Sequence, residues 1–409
     1  MKYNPKVNEK LAGHECVTQA HPLQPVEDLQ GFLQLLYETE HLLSELSGFP
    51  AISLQPAAGA HGEFTSLLVV RAHFHKMGQP RDVVLIPDTA HGTNPASCTF
   101  AGFKTKVVKS DATGLIDLAD LKAQLDGSTA CLMLTNPNTL GVFEENILEV
   151  SRLVHEAGAL LYMDGANFNA IMGITRPADF GVDLMHFNLH KSFSTPHGGG
   201  GPGSGPIGVT KALEPYLPVP RIKKTASGYA WAHACPDSVG KVHGFYGNAG
   251  VVVRAYAYMR RCGREGIKKA AEMAVLNANY LAALLSKTYP LATQRRPLHE
   301  FVLDGEALAK ETGVRTLDVA KALIDRGFHP PTIYFPIIVP EALMIEPTES
   351  ESKETLDRFA AALIDIVREA REHPERLHAA PQFQPVGRLD EVKAARDPKL
   401  SASALCSCS

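Results

Sequence analysis

A lysine and an aspartate twenty-seven positions apart are the residues of this chain best placed to do chemistry. Lys191 closes the run Asp183-Leu-Met-His-Phe-Asn-Leu-His-Lys191 and is followed by Ser-Phe-Ser-Thr-Pro-His197 and the stretch Gly198-Gly-Gly-Gly-Pro-Gly-Ser-Gly-Pro206. Asp164 closes an earlier apolar run, Gly158-Ala-Leu-Leu-Tyr-Met163. An amine at one strand end and a carboxylate at another are what pyridoxal phosphate chemistry needs. The amine condenses with the cofactor aldehyde as a Schiff base, and the carboxylate keeps the pyridine nitrogen protonated so that the ring accepts electrons. Each residue also has an ordinary reading. Most lysines are solvated, but one set between an apolar strand and four glycines is expected to be buried, and a buried lysine gives up its charge readily. Asp is a favoured helix N-cap, so Asp164 suits capping as well as cofactor binding. Taken together, the two residues favour the cofactor.

Other segments supply candidates for the rest of such a site. Pro56-Ala-Ala-Gly-Ala-His-Gly-Glu63 opens a helix with small residues, which suits either a tight helix start or an anion cradle at the helix N-terminus. It lacks the Lys-Ser/Thr ending of a P-loop. His91, in Ile86-Pro-Asp-Thr-Ala-His-Gly-Thr-Asn-Pro95, follows a strand, and its flat ring suits stacking on a pyridine or a structural role. The amide of Asn136, in Thr135-Asn-Pro-Asn-Thr-Leu-Gly141, can hydrogen-bond a phenolic oxygen or belong to a plain Asn-Pro turn. His190 can contact a phosphate or pack. Gly198, Gly200 and Gly203 formally satisfy G-x-G-x-x-G, but prolines interrupt them and no strand directly precedes them, so a mobile or substrate-facing loop is the better reading.

The elements that must position these residues are legible as a rhythm. Apolar runs at 83–87, 106–109, 130–134, 160–163, 184–189 and 207–210 read as buried strands, and 62–77, 117–125 and 145–156 read as helices between them. That alternation predicts an α/β chain with a mostly parallel sheet covered on both faces. Ligands of such sheets bind beyond the carboxyl ends of the strands, where Asp164 and Lys191 both fall. The expected division is an N-terminal arm and helix over 1–45, a large cofactor-binding domain over 46–250, a smaller C-terminal α/β domain over 251–380 and a tail over 381–409. In the third segment one long helix is expected over 250–286, strands over 300–303 and 332–339, and helices over 316–326 and 351–373.

The composition is that of an ordinary globular chain: 409 residues, 45% hydrophobic, 21% charged and net charge −4. Nothing in it points to nucleic acid or an anionic membrane. No apolar stretch reaches transmembrane length and the N-terminus has no leader pattern. Seven scattered cysteines suggest reduced thiols in the cytoplasm, with Cys406 and Cys408 in the terminal segment given no metal role.

These segments together resemble a known family. Lys2-Tyr-Asn-Pro-Lys6, Leu54-Gln-Pro-Ala-Ala-Gly-Ala-His-Gly-Glu63, Asp88-Thr-Ala-His-Gly-Thr-Asn-Pro-Ala-Ser97, Leu134-Thr-Asn-Pro-Asn-Thr-Leu-Gly141, Asn188-Leu-His-Lys191 and Met344-Ile-Glu-Pro-Thr-Glu-Ser350 are similar to the P-protein family of the glycine cleavage system, in its subunit 2 branch. The resemblance runs to about Arg396. It implies a fold type I pyridoxal phosphate enzyme, a glycine-decarboxylating, aminomethyl-transferring oxidoreductase. Lys191 is then the cofactor lysine, Asp164 the pyridinium partner and His91 the stacking ring. Gly59 and Ala60 lie at the phosphate, and Asn136, Asn188 and His190 complete the cofactor site, with no metal. The implied partners are glycine, the lipoylated H-protein and a subunit 1 chain. Relatives carry a segment before the Met-Lys-Tyr-Asn-Pro-Lys motif, so a shortened start is expected. The alternatives are another fold type I decarboxylase or lyase, which would need no lipoyl acceptor, and an inactive scaffold half, against which Lys191 argues. Arg254 stands as a guess for the ligand of the substrate carboxylate.

Overall fold

Seven short strands form the central sheet of this computed structural model, which describes residues 5–198 and 200–401. They are β1 (Ala51–Ser53), β2 (Val83–Pro87), β3 (Lys104–Val108), β4 (Thr129–Thr135), β5 (Leu160–Gly165), β6 (Leu184–Phe187) and β7 (Ile207–Val209). Their spatial order is β1-β7-β6-β5-β4-β2-β3. The neighbours from β3 to β6 run parallel, and β7 is antiparallel to both β6 and β1. The sheet is covered on both faces, as continuous apolar strands require. In β4, Leu132 and Leu134 enter the core shared with Leu33 and Val154, whereas Cys131 and Met133 enter the core shared with Leu67 and Phe74. That is the two-residue alternation of a strand buried on both sides. The edge strand β3 exposes four of its five residues, Lys104 and Lys106 among them, and edge lysines discourage pairing with another chain.

Several expectations need correcting. β1 is too short to show a period and was not anticipated, nor was the hairpin β8 (Arg221–Thr225) and β9 (Gly228–Ala232). That hairpin is tied to the helix Gln30–Ser47 through Gln30, whose amide donates to Tyr229 O at 2.9 Å and accepts from Tyr229 N at 2.8 Å. The strand expected over 184–189 stops at Phe187, and Leu189–Ser192 forms a single helical turn. The expected long helix is two: Ala249–Leu285 is interrupted at Gly263, whose φ of 61° and ψ of −176° only glycine adopts readily. The strand expected over 332–339 ends at Ile333, because Tyr334 has a φ of 57° and Pro336 offers no N–H. A strand not foreseen, β12 (Ala342–Ile345), lies between β10 (Phe301–Asp304) and β11 (Thr332–Ile333), antiparallel to both. Helices Thr316–Asp325 and Lys353–Glu372 share a separate core with this small sheet, built from residues such as Phe301, Leu323, Leu343 and Leu363. Near the end, Arg388 donates to Asp318 Oδ1 at 2.7 Å and to Ala380 O at 3.0 Å. Cys406 and Cys408 lie outside the described residues. No helix among the described residues is long and apolar enough to cross a membrane.

One buried acid makes stability depend on pH. Glu40, on the helix Gln30–Ser47, has its pKa pushed up to about 8 by burial, against the weaker pull of Arg221. Arg221 itself is engaged by Glu214 at 2.7 Å. The folded chain therefore holds a proton that the unfolded chain releases near 4.5. The stabilisation from that proton is full below this value and is lost as pH rises through about 8. Glu40→Gln should match the wild type at pH 5 and melt higher at pH 9, by roughly 2–4 °C. Thermal melts at the two pH values measure this, and an equal effect at both would refute it.

Candidate active site

Register brings the first part of the site together. β4, β5 and β6 pair so that Thr135, Asp164 and His186 form one row across the sheet. Asp164 shares the side of Tyr162, facing the layer that contains the helix Gly59–Lys76. Asp164 is 2% exposed. Its Oδ2 accepts from Asn94 Nδ2 at 3.0 Å, its Oδ1 accepts from Ala166 N at 2.9 Å, and His186 Nε2 lies 3.4 Å from Oδ1. Tyr162 OH lies 2.5 Å from Nδ1 of the same histidine. Burial alone would push the Asp164 pKa up. The His186 ring, the Asn94 amide, the Lys191 charge and the Ala166 N–H outweigh it and bring the pKa below the ordinary value. The capping reading fails: the short helix that follows, Phe168–Ala170, has Asn167 as its N-cap and no side-chain cap bond.

Lys191 occupies the one-turn helix Leu189–Ser192 just past the end of β6. The sequence reading had it buried; instead it is exposed, while Ser192 and Phe193, which follow it, are fully covered. The turn lifts the lysine off the sheet and into a cavity of about 380 Å³. The same cavity is lined by Asp164, His91, His190 and Thr135, with Phe335, Met344, Glu346 and Glu300 supplied by the C-terminal part of the chain. His91 is oriented by Thr93, whose Oγ1 lies 2.8 Å from Nδ1 and donates onward to Glu63 at 2.8 Å. Phe335 meets the His91 ring edge-on at 5.4 Å. His190 stacks on His197 at 4.1 Å and its Nδ1 accepts from Ser204 N. Burial, followed by the charges of His197 and Lys191, holds its pKa down to about 3, so the ring is neutral at physiological pH.

Gly59, Ala60, Asn136 and Asn188 lie outside the lining of this cavity. The helix Gly59–Lys76 starts from Ala58 in extended geometry with no side-chain cap, which leaves first-turn N–H groups without a side-chain acceptor. The backbone here is closely packed: a Cβ on Gly59 would lie 2.6 Å from Asn188 Nδ2, and one on Gly205 would lie 2.0 Å from Ala58 O. Asn136 turns its Oδ1 to accept from Glu144 N at 3.0 Å. Arg254 is paired with Glu9 at 2.7 and 2.9 Å, away from the cavity. The nine-residue region around the G-x-G-x-x-G match opens no helix and leads into β7.

Several buried polar atoms near this region have no hydrogen-bond partner among the described residues: Thr135 Oγ1, Asn136 Nδ2, Asn188 Oδ1, Ser192 Oγ and Ser204 Oγ. Such atoms are costly unless a ligand or water meets them. With an amine, an ionised buried carboxylate and an uncapped helix start close by, they fit a phosphorylated pyridine aldehyde. The carboxylate of Glu63 and the Asp164–His186 pair come within 4.8 Å of one another, but Glu63 already accepts from Thr93 and Ser97 at 2.8 Å each. Sequence reading missed Asn94, His186, Asn167, Glu300 and Glu346 as site residues. Asn94, His186 and Glu346 stood inside quoted motifs, whereas no quoted motif reached Asn167 or Glu300.

Comparison with known proteins bears on the family and the fold. The family model for class-V aminotransferases matches residues 62–200, and that for the C-terminal domain of glycine dehydrogenase matches residues 270–382. A probable glycine dehydrogenase (decarboxylating) subunit 2 of Caldanaerobacter subterraneus is 58% identical over 400 residues, which is 97% of this chain and 82% of the relative. The corresponding protein of Treponema denticola is 54% identical over 409 residues, 100% of this chain and 85% of its own length. Among solved structures, an inhibitor-bound glycine decarboxylase (P-protein) of the glycine cleavage system aligns with a TM-score of 0.76 at 22% identity, covering 89% of this chain and 82% of its own. A cysteine desulfurase of Thermococcus onnurineus aligns with a TM-score of 0.68 at 15% identity, covering 90% and 92%. These two likenesses are of fold.

Proposed function

The chain belongs to the glycine dehydrogenase (decarboxylating) subunit 2 family, and from that premise we propose that Lys191 carries the cofactor while Asp164 holds the proton on its ring nitrogen. The chain is a glycine-decarboxylating enzyme of the glycine cleavage system, and its cofactor is pyridoxal 5'-phosphate. The single observation behind the division of roles is that one cavity contains both the exposed Lys191 amine and the buried Asp164 carboxylate.

When bound, pyridoxal phosphate supplies an aldehyde for an amine and an electron-accepting ring that stabilises the charge left when carbon dioxide departs. The residues do the rest. Lys191 tethers the cofactor and yields its place to the substrate amine. Asp164 stays ionised because Asn94, Ala166 and His186 surround it, so it can keep a proton on a facing nitrogen. His91 is steadied by Thr93 and lies against the ring. The first turn of the helix at Gly59 and Ala60, with Asn188 and the neutral His190, offers donors for a phosphate. Asn136 offers its unpaired Nδ2 to a phenolic oxygen. Phe335 and Met344 cover the opposite side and limit water. The substrate is glycine, and the acceptor of the aminomethyl group is the lipoyl disulfide of the H-protein.

The relatives' designation as subunit 2 implies a subunit 1 partner. Exposed apolar residues such as Phe100 (83%), Ile337 (83%) and Phe383 (81%) favour a covered surface in the assembled enzyme. Co-expression with a subunit 1 chain should give a hetero-oligomer with two copies of each. It should exchange carbon between glycine and bicarbonate only when lipoylated H-protein is present. The isolated chain should self-associate or bind the cofactor weakly. Light scattering after size exclusion, run beside the exchange assay, checks both. A fully active isolated monomer, or glycine turnover indifferent to the lipoyl group, would overturn the reading.

A further inference from the structure

Glu300 is a carboxyl in the active cavity that the roles above leave unused. It stands immediately before β10 and reaches the cavity from the C-terminal part of the chain. It is 4% exposed. Asn167 Nδ2 donates to its Oε1 at 2.8 Å, and the same amide donates to Pro137 O at 3.0 Å, so Glu300 is anchored to the turn that follows Asp164. Its backbone is equally fixed. A Cβ on Gly141 would lie 1.8 Å from Glu300 O, and Leu298 N donates to Gly141 O at 2.7 Å. Oε2 has His299 Nε2 at 3.7 Å, too far for a hydrogen bond. One oxygen is therefore held as an acceptor and the other is left to carry a proton. The ionisable groups around it are Glu346, Lys191 and His299. Glu346 is a second carboxyl in the same cavity, and two neighbouring carboxyls resist ionising together.

We propose that Glu300 is a catalytic acid that delivers the proton consumed when the acceptor disulfide opens. This inference rests on the lipoyl-acceptor reading above. The balance of the step requires such a proton. The bond between the substrate α-carbon and its carboxylate breaks and releases carbon dioxide. The electron pair left behind forms a carbon–sulfur bond, and the sulfur–sulfur bond breaks with its pair on the departing sulfur. Carbon is oxidised and the disulfide is reduced. The departing thiolate takes the Glu300 proton to become a thiol, and solvent reprotonates Glu300.

Two other groups in the cavity are less suited: the pKa of Asp164 is lowered and that of His190 is about 3. Burial, followed by Glu346, pushes Glu300 up to about 8 against the pull of Lys191 and the Asn167 amide. That is close to the roughly 8.5 of a free cysteine thiol, and an acid works best when its pKa is near the operating pH.

The test uses the cofactor-loaded complex with subunit 1, comparing wild type, Glu300→Gln and Glu300→Asp. Infrared difference spectra across pH, recorded in a Glu40→Gln background because Glu40 also titrates near pH 8, should show a protonated carboxyl that titrates near pH 8 and is missing once Glu300→Gln is added. With lipoylated H-protein, Glu300→Gln should slow aminomethyl transfer by roughly 10²–10⁴-fold, and Glu300→Asp should recover part of the rate. Glycine affinity, read from the cofactor absorbance, should hold within about twofold, since general-acid loss acts on the rate. The decline in wild-type rate above pH 8 should vanish from the residual rate. An H-protein whose octanoyl arm bears a single thiol, capped as a thionitrobenzoate mixed disulfide whose leaving group needs no proton, should restore much of the Glu300→Gln rate. A Glu40→Gln background with no protonated carboxyl at pH 7 refutes the proposal even if the Glu300 variants fail to fold. So does an unslowed Glu300→Gln, or a loss seen equally in glycine affinity. A wild type that never uses a lipoyl acceptor refutes the functional reading and this inference with it, whereas an active wild type with an indifferent Glu300→Gln refutes the inference alone.

Discussion

Lys191→Ala should abolish turnover and leave the fold intact. Lys191 is exposed, so its truncation removes no core packing. Alanine is the best helix former and suits the turn Leu189–Ser192. The melting temperature should therefore stay within about 2 °C of wild type, the effect of a surface change of a few tenths of a kcal/mol. Turnover should fall below detection, since a residue that forms a covalent link to the cofactor has no substitute in an alanine side chain. Borohydride reduction of the loaded protein followed by peptide mapping should place a pyridoxyl group on Lys191 in the wild type and on no lysine in the variant. A pyridoxyl group on another lysine, or measurable turnover in a folded variant, would reject the assignment.

Asp164→Asn should weaken cofactor binding and slow the reaction, each by a factor readable without ambiguity. Two donors, Asn94 Nδ2 and Ala166 N, bond the wild-type carboxylate, and the His186 ring lies 3.4 Å from it. Asparagine keeps one acceptor oxygen and adds an NH₂ group, so a buried donor loses its partner and the negative charge is gone. Breaking a buried charge pair costs about 3–5 kcal/mol, which is roughly 10²–10⁴-fold at 1.36 kcal/mol per decade. Equilibrium dialysis with pyridoxal phosphate measures the affinity, and single-turnover kinetics with glycine measures the rate. The sign of the pH effect follows from the lowered pKa. The wild-type carboxylate should remain ionised, and cofactor binding should hold, below the ordinary value of 3.8 before failing in stronger acid. Near-normal affinity and rate in Asp164→Asn would show that the charge is not what the cofactor uses.

What the sequence could and could not reveal divides along one physical line. Local patterns are properties of neighbouring residues, and they carried far. The apolar runs around Val84, Leu132, Leu161 and Met185 announced buried parallel strands. The alternation with helices announced the covered sheet, and strand-end positions drew Lys191 and Asp164 towards one crevice. The combined motifs carried the family, which identity over 97% of the chain supports. Positions where one residue overrides a pattern were misread: Gly263 splits a helix whose flanks are continuous in period, and Tyr334 turns the chain inside an apolar run that otherwise looks like a strand.

Only the tertiary structure decided which residues meet across the chain. Inter-strand register, which no single strand encodes, set Thr135, Asp164 and His186 in one row. The turn at Leu189–Ser192 lifted Lys191 out of the interior that an apolar run had suggested. Packing of β10 and the loop before β12 against the sheet brought Glu300 and Phe335 into a cavity whose other wall is formed far earlier in the sequence. A carboxyl such as Glu300 gives no local signal, because its proton affinity comes from burial and from Glu346, groups that become its neighbours only when the chain has folded.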